Sequence, residues 1–347
     1  MADLWRVPIL AGRPATWSDA RQLTDERGWP RHVSLSPDKQ QLVFCLRGQD
    51  GEHMWKMPSA GGEPERVLMD PMAQIFARWS PDGREIAFQC GLHDIWVAPE
   101  AGGPASRLTE HEAIDVGPAW SPDGREIAFI SNRSGNFDLW VVPARGGQAR
   151  QLTTDPADDV YVYQPWSPDG RRIAFTSSRT GNGDIWVTPV EGGEPLQLTS
   201  DPAVDSLPFW SPDGKWVLFT SRREGGRVWR VPAEGGEVEP VLDSDDSLIW
   251  SQSGDRIYFG DLREGRGNLY EKEFEGSAKR QLTDFAGRPG YLDGLDDSDG
   301  KFLYFTWSED FGDLWVMDVD GGQQRATSRD PTLEAEPLTL AARDHPA

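Results

Sequence analysis

Trp120-Ser121-Pro122-Asp123-Gly124, continued by Ile127-Ala128-Phe129, Asp138-Leu139-Trp140-Val141, Gly146-Gly147 and Gln151-Leu152-Thr153, is one copy of a repeating unit. The same order of blocks returns from Trp79 to Thr109 and from Trp166 to Thr199. Turn blocks begin at Ser36, Ser80, Ser121, Ser167, Ser211, Ser251 and Asp297, at spacings of 40 to 46 residues. That period suits a four-stranded unit and is too long for an ankyrin or leucine-rich repeat.

Each block has a physical task. In Ser-Pro-Asp-Gly, proline presets φ, aspartate bonds locally and glycine takes positive φ before the chain reverses. The apolar Ile-Ala-Phe run reads as a buried second strand. Asp-Leu-Trp-Val reads as a third strand whose tryptophan packs between neighbouring units. Gly-Gly supplies a second hairpin turn, and Gln-Leu-Thr is the short outer strand. A period of 3.6 residues is weak throughout. The expected fold is therefore all-β: a single β-propeller of four-stranded antiparallel blades spanning residues 1–347.

The tryptophans repeat with this unit. Five of the 16 precede a turn block (Trp79, Trp120, Trp166, Trp210, Trp250). Seven more fill the third-strand position (Trp5, Trp55, Trp96, Trp140, Trp186, Trp229, Trp315). They are accounted for by the fold rather than by a sugar- or base-stacking surface. Turn blocks number seven, but the third strand recurs eight times, because Asp3-Leu4-Trp5 is a copy ahead of the first turn block. The chain length divided by the mean spacing also gives eight units. Eight blades are favoured, with seven the close alternative. Residues 1–24 and 328–341 are expected to pair in a closing blade, which removes an exposed sheet edge.

These blocks resemble the TolB-like propeller repeats, also called PD40 or WD40-like repeats. The resemblance covers nearly the whole chain, because turn block, Asp-Ile/Leu-Trp, Gly-Gly and Leu-Thr recur in fixed order. It implies a propeller that binds proteins or small ligands at one end of its channel. In TolB the propeller is periplasmic and follows an extra N-terminal domain. Similar repeats form the propellers of prolyl oligopeptidases, tricorn-type proteases and some bacterial regulators. A sensing or gating module of a larger peptidase or regulator is accordingly the alternative function, and a propeller lyase a more remote one.

A net charge of −22 excludes nucleic acid as a partner and favours a protein, peptide or small cationic ligand. No apolar run is long enough to span a membrane as a helix. The expected location is cytoplasmic for the chain as it stands, and periplasmic or extracellular if a leader has been removed. A monomer is expected. Cys45 and Cys90 follow apolar strands and read as buried free thiols.

Motifs for a hydrolase nucleophile elbow, His-Glu-x-x-His, paired Cys-x-x-Cys or a P-loop are absent, so no enzyme activity is expected. The five histidines are scattered. His53 and His93 precede third strands and are assigned to the end away from the inner-strand entrances. His32 and His111 lie on connections that approach the channel. Those connections carry Asp115, Asp158, Asp159, Asp205, Asp245, Asp246, Asp293 and Glu334. Converging carboxylates of this kind suit a cationic ligand or Ca²⁺, with no other cofactor expected. Phe76, Tyr161, Tyr163 and Tyr291 would add an apolar wall, with Arg78 as a lone opposite charge. The candidate binding residues are thus Asp115, Asp159, Asp205, Asp246, Asp293, Tyr163, Arg78 and His111. The competing account is that these aspartates cap turns and keep the rim solvated. Asp297-Ser298-Asp299-Gly300 reads as one more turn rather than a calcium loop.

Overall fold

The computed structural model describes residues 2–309 apart from 26–27, 49–50, 71, 92, 162–163, 225–226, 244–247, 262–266 and 288–289. It also describes strands at 315–317 and 324–326. Contacts divide the chain into two units, Met1–Glu309 and Asp310–Ala347.

Seven four-stranded antiparallel sheets make up the first unit. Their inner strands begin at Trp29, Gln74, Asp115, Asp159, Asp205, Leu248 and Tyr291, in blades 1 to 7. Each second strand buries one phenylalanine completely or nearly so: Phe44, Phe88, Phe129, Phe175, Phe219, Phe259 and Phe305. The expectation of eight blades is corrected to seven. Ala2–Pro8 and Arg21–Gln22 supply the third and outer strands of blade 7, beside Tyr291–Ser298 and Phe302–Ser308. Trp315–Met317 and Gln324–Ala326 are a further third-and-outer hairpin, paired with each other in a two-stranded sheet. The third-strand copy at Trp315 has only Gln324–Ala326 as its partner, so it does not mark an eighth four-stranded sheet among the described residues. Residues 328–341 lie outside the described residues.

The turn block works as its sequence demands. Ser121 donates its hydroxyl to Asp123 at 2.7 Å and accepts the Glu126 N–H at 3.0 Å. Asp123 also accepts the Arg125 N–H, and Gly124 sits at φ 70°. The serine hydroxyl and that N–H hold the Asp123 carboxyl below its ordinary pKa. In blade 1, Lys39 occupies the glycine position at φ 65°.

In blades 2 to 5 the tryptophan before the turn joins neighbouring blades. The indole N–H groups of Trp79, Trp120, Trp166 and Trp210 donate to the carbonyls of Ser34, Arg78, Ala119 and Pro165. Ser34, Arg78 and Ala119 lie on the inner strand of the preceding blade, and Pro165 follows that of blade 4. Blade 1 has Leu35 in place of the tryptophan, and there the Asp297 carboxylate of blade 7 accepts the Leu35 N–H at 2.9 Å. Asp297 is thus a strand residue, while Asp299 and Gly300 (φ 83°) make the turn.

Blade 7 is held further by the segment between its N-terminal strands. Ala15–Thr16 pairs in parallel with Thr283–Asp284. Trp17 stacks on Phe285 at 4.2 Å and meets Trp307 edge-on at 4.8 Å. Cys45 and Cys90 are free and buried in one apolar cluster, where burial pushes their thiols up to about 12 and about 11.

Candidate binding site at the channel mouth

Strand register decides which loops share an end. Asp115, first in its inner strand, pairs with Ser131 at the end of the second, and Ser131 pairs with Asp138 at the start of the third. The connections into inner strands and the second-to-third hairpins therefore lie at one end, with the Ser-Pro-Asp-Gly turns at the other. This corrects the placement of His53 and His93. His53 is buried within a third strand, and the His93 carbonyl accepts the Asp115 N–H at 3.1 Å.

Three of the candidate carboxylates prove to be interior groups. Asp115, Asp159 and Asp205 are inaccessible to solvent, and each meets an arginine from its own second-to-third hairpin: Arg133, Arg179 and Arg223. Asp159 is held by Arg179 at 2.7 and 2.8 Å. Each arginine also donates from Nε to the serine ending the second strand. Their guanidinium groups lie over Trp140, Trp186 and Trp229. A buried carboxylate needs such a partner. The repeat supplies one in blades 3, 4 and 5, so these aspartates hold their own loops in place.

The other candidates divide. Asp293 is exposed on blade 7 and accepts the Trp29 indole N–H of blade 1 at 2.9 Å. Arg78 of blade 2 donates to the His32 carbonyl at 3.1 Å, and its charge acts on His32, Asp296 and Asp297. Arg78 is thus not a lone charge. Asp296 and Asp297, missed as site residues, face it from blade 7. Burial, with Asp297 and Asp293 close by, raises the Asp296 carboxyl to about 7. Burial also raises Asp297. His32 and Phe76 touch, with ring centres 4.2 Å apart, and the Phe76 N–H donates to His32 Nδ1. Burial and the charges of Arg78 and Arg31 lower His32 to about 4, leaving a neutral imidazole. His111 stays exposed and accepts the Ala113 N–H. Tyr161 is buried and donates to the Gly117 carbonyl. Tyr163, Asp245, Asp246 and Glu334 lie outside the described residues.

Apolar exposure is concentrated at the same mouth. Among the described residues eight large hydrophobic side chains are exposed. Trp29 and Tyr291 begin the inner strands of blades 1 and 7, Met69 and Met72 precede that of blade 2, and Val160, Val204 and Leu207 lie at those of blades 4 and 5. The eighth is Leu196, on an outer strand. The described residues of the connections expose Asp25, Asp70, Glu110, Glu112, Asp158 and Asp243, while the second-to-third hairpins at the same end expose Arg47, Arg222 and Arg227. Among the described residues no group of three or more His, Cys, Asp or Glu side chains is arranged to hold a metal ion. None of their helices is long and apolar enough to cross a membrane.

The TolB beta propeller domain family matches residues 162–337, half of the chain. The chain belongs to that family. The family of the Tricorn protease N-terminal beta propeller domain matches residues 85–182. The Tol-Pal system protein TolB of Anaeromyxobacter dehalogenans (strain 2CP-1 / ATCC BAA-258) is 32% identical over 108 residues, 30% of this chain and 24% of that protein. The chain therefore matches about a quarter of the length of its curated relatives. The structure of putative TolB from Agrobacterium tumefaciens is 22% identical with a TM-score of 0.54, over 88% of this chain and 98% of that one. That of puromycin hydrolase is 14% identical with a TM-score of 0.66, over 90% of this chain and 55% of that one. At these identities the solved structures speak for the fold alone. The Tol-Pal relatives lend no support to the cytoplasmic location expected from the sequence.

Proposed function

We propose that this propeller is a non-enzymatic binding scaffold whose channel mouth engages a protein partner through an extended segment carrying basic and apolar residues. The observation that carries this reading is the gathering of exposed apolar side chains at the one end whose connections are acidic. Apolar patches rimmed by polar residues mark interaction sites, and an acidic rim favours a cationic partner. The family relationship to a protein of the Tol-Pal system supports a protein partner. The three interior aspartates cannot test this, because changing them would disturb folding. Glu112→Lys combined with Asp293→Lys is the suitable probe, since both side chains are exposed. A partner recovered by cross-linking to the native chain should be lost with the double variant at unchanged Tm. Full retention of the partner would refute the reading.

The Tricorn-type match favours a second reading, a gating propeller attached to a peptidase. The reading frame on either side of this chain decides it: a contiguous hydrolase domain supports gating, and stops on both sides exclude it.

A further inference from the structure

Four blades share one irregularity at one place. The inner strand shifts register between Arg31 and Ser34, Ile75 and Arg78, Val116 and Ala119, and Ser206 and Phe209. In every case two residues stand opposite the buried phenylalanine of the second strand. The first of the two is left-handed: His32 at φ 54°, Phe76 at 57°, Gly117 at 66° and Leu207 at 54°. A bulge with a left-handed first residue is a glycine device, because a β-carbon there is strained. Blade 3 obeys that rule. Blades 1, 2 and 5 do not, and they carry His, Phe and Leu in a conformation that glycine would adopt without strain.

Packing does not explain all three exceptions. Leu207 is 47% exposed, so its side chain contributes little to the core. At Gly117 the nearest atom to an added β-carbon would be Tyr161 Cε2 at 3.9 Å, so space does not dictate glycine there. Side chain or none is therefore open at this position, and its occupants differ in chemistry from blade to blade. Strain kept where relief is one substitution away points to function, and bulges serve to re-aim side chains.

We infer that His32, Phe76 and Leu207 are the specificity residues of the mouth, each reading one side chain or backbone group of the bound segment, with Gly117 as a blank position. Phe76 and Leu207 offer apolar contact. His32 accepts at Nδ1, which leaves its Nε2–H to donate to a carbonyl of the ligand. The ligand class is an extended peptide with an apolar residue beside a cationic one. This rests on the proposed reading of the mouth as a peptide-binding surface.

The test uses the full chain and a random linear peptide library displayed on phage. The best peptide selected on the native chain is synthesised with a fluorophore, and its Kd is read by polarisation. Leu207→Gly should weaken binding about tenfold while leaving Tm unchanged or raising it by roughly 1–3 °C. Gly117→Leu, which adds a reader, should change the sequences selected. If Leu207→Gly lowers Tm by more than about 5 °C, the side chain supports the fold and the inference falls. It also falls if peptide binding is lost on Asp293→Lys but untouched by Leu207→Gly. A peptide indifferent to both changes, or a library that yields no binder, would instead sink the mouth as a peptide site.

Discussion

Blades 3 to 5 and blades 7, 1 and 2 are built on the same repeat but spend their polar residues differently. In blades 3 to 5 each entrance aspartate is buried against an arginine and a serine from its own blade. In blades 7, 1 and 2 the corresponding region holds Asp293, His32 and Arg78, whose hydrogen bonds cross between blades, and Asp296, which accepts the Thr306 hydroxyl of its own blade at 2.9 Å and feels the Arg78 charge of blade 2. The first arrangement closes on itself and needs no visitor. The second leaves Asp293 and Trp29 at the surface and a raised carboxyl at Asp296. Places where a chain departs from its own structural rule are where function is to be sought. The binding surface is accordingly assigned first to blades 7, 1 and 2, where Trp29, Tyr291, Met69 and Met72 are exposed along with Asp293, and it continues through Val160, Val204 and Leu207 on blades 4 and 5.

The comparison breaks most directly at the ion pairs. Arg179→Ala leaves the Asp159 carboxylate buried without its cation and removes the guanidinium from the Trp186 face at 4.6 Å. Loss of one partner of a buried pair costs about 3–5 kcal/mol. Asp293→Asn, at an exposed carboxylate, should stay within about 0.5 kcal/mol. Urea denaturation of both variants checks the contrast. Equal losses would erase the distinction between the two sectors.

A pH titration sharpens the same contrast. The Asp296 carboxyl is raised to about 7, against an unfolded value of about 3.9. Between those values the folded chain holds a proton that the unfolded chain has released. This group's stabilisation is therefore complete below about pH 4 and is lost as pH rises through about 7. The turn aspartates act in the opposite sense. Asp123 and Asp169 are lowered, so their contribution is present above about pH 4 and fades as acid protonates them. Asp138 and Asp184 are raised by burial as well, so the measurement is a difference. Stability of the native chain minus that of Asp296→Asn, followed from pH 5 to 8, should fall with rising pH. A flat difference would remove Asp296 from the account.

The turns and strands were legible because each residue acts within its own repeat. Pro presets φ for its own turn, Ser and Asp bond residues two to five places on, and the tryptophan period is visible by inspection. What lay beyond reading was the partner of each polar side chain, because it depends on strand register within a blade or on the neighbouring blade. Asp115, Asp159 and Asp205 sit in loops and look solvated until register brings Arg133, Arg179 and Arg223 beside them. A signal was present: Ser-x-Arg closes the second strand in those three blades and no others among Ser131, Ser177 and Ser221's equivalents. Asp297 hid behind its likeness to a turn serine, and only the Leu35 N–H reveals its work. The blade number failed for a related reason: the strands at Trp5 and Trp315 share one sequence type, but only the first belongs to a four-stranded sheet, which no period can distinguish.

The smallest effect concerns a defect in the repeat rather than a site. Lys39 stands at φ 65° where Gly83, Gly124, Gly170 and Gly214 stand at φ 70° in their turns. A side chain in that conformation costs about 1–2 kcal/mol, partly offset because glycine loses more chain entropy on folding, about 0.5–1 kcal/mol. Lys39→Gly should therefore stabilise by about 0.5 kcal/mol. The lysine charge also lowers Asp297, so its loss must be separated from relief of the backbone. Lys39→Ala makes that separation, because it removes the same charge and keeps the β-carbon. Glycine should be the more stable of the two variants in urea. Were alanine equal to glycine, the left-handed turn would carry no penalty, and the strain assigned to His32, Phe76 and Leu207 would lose its physical basis.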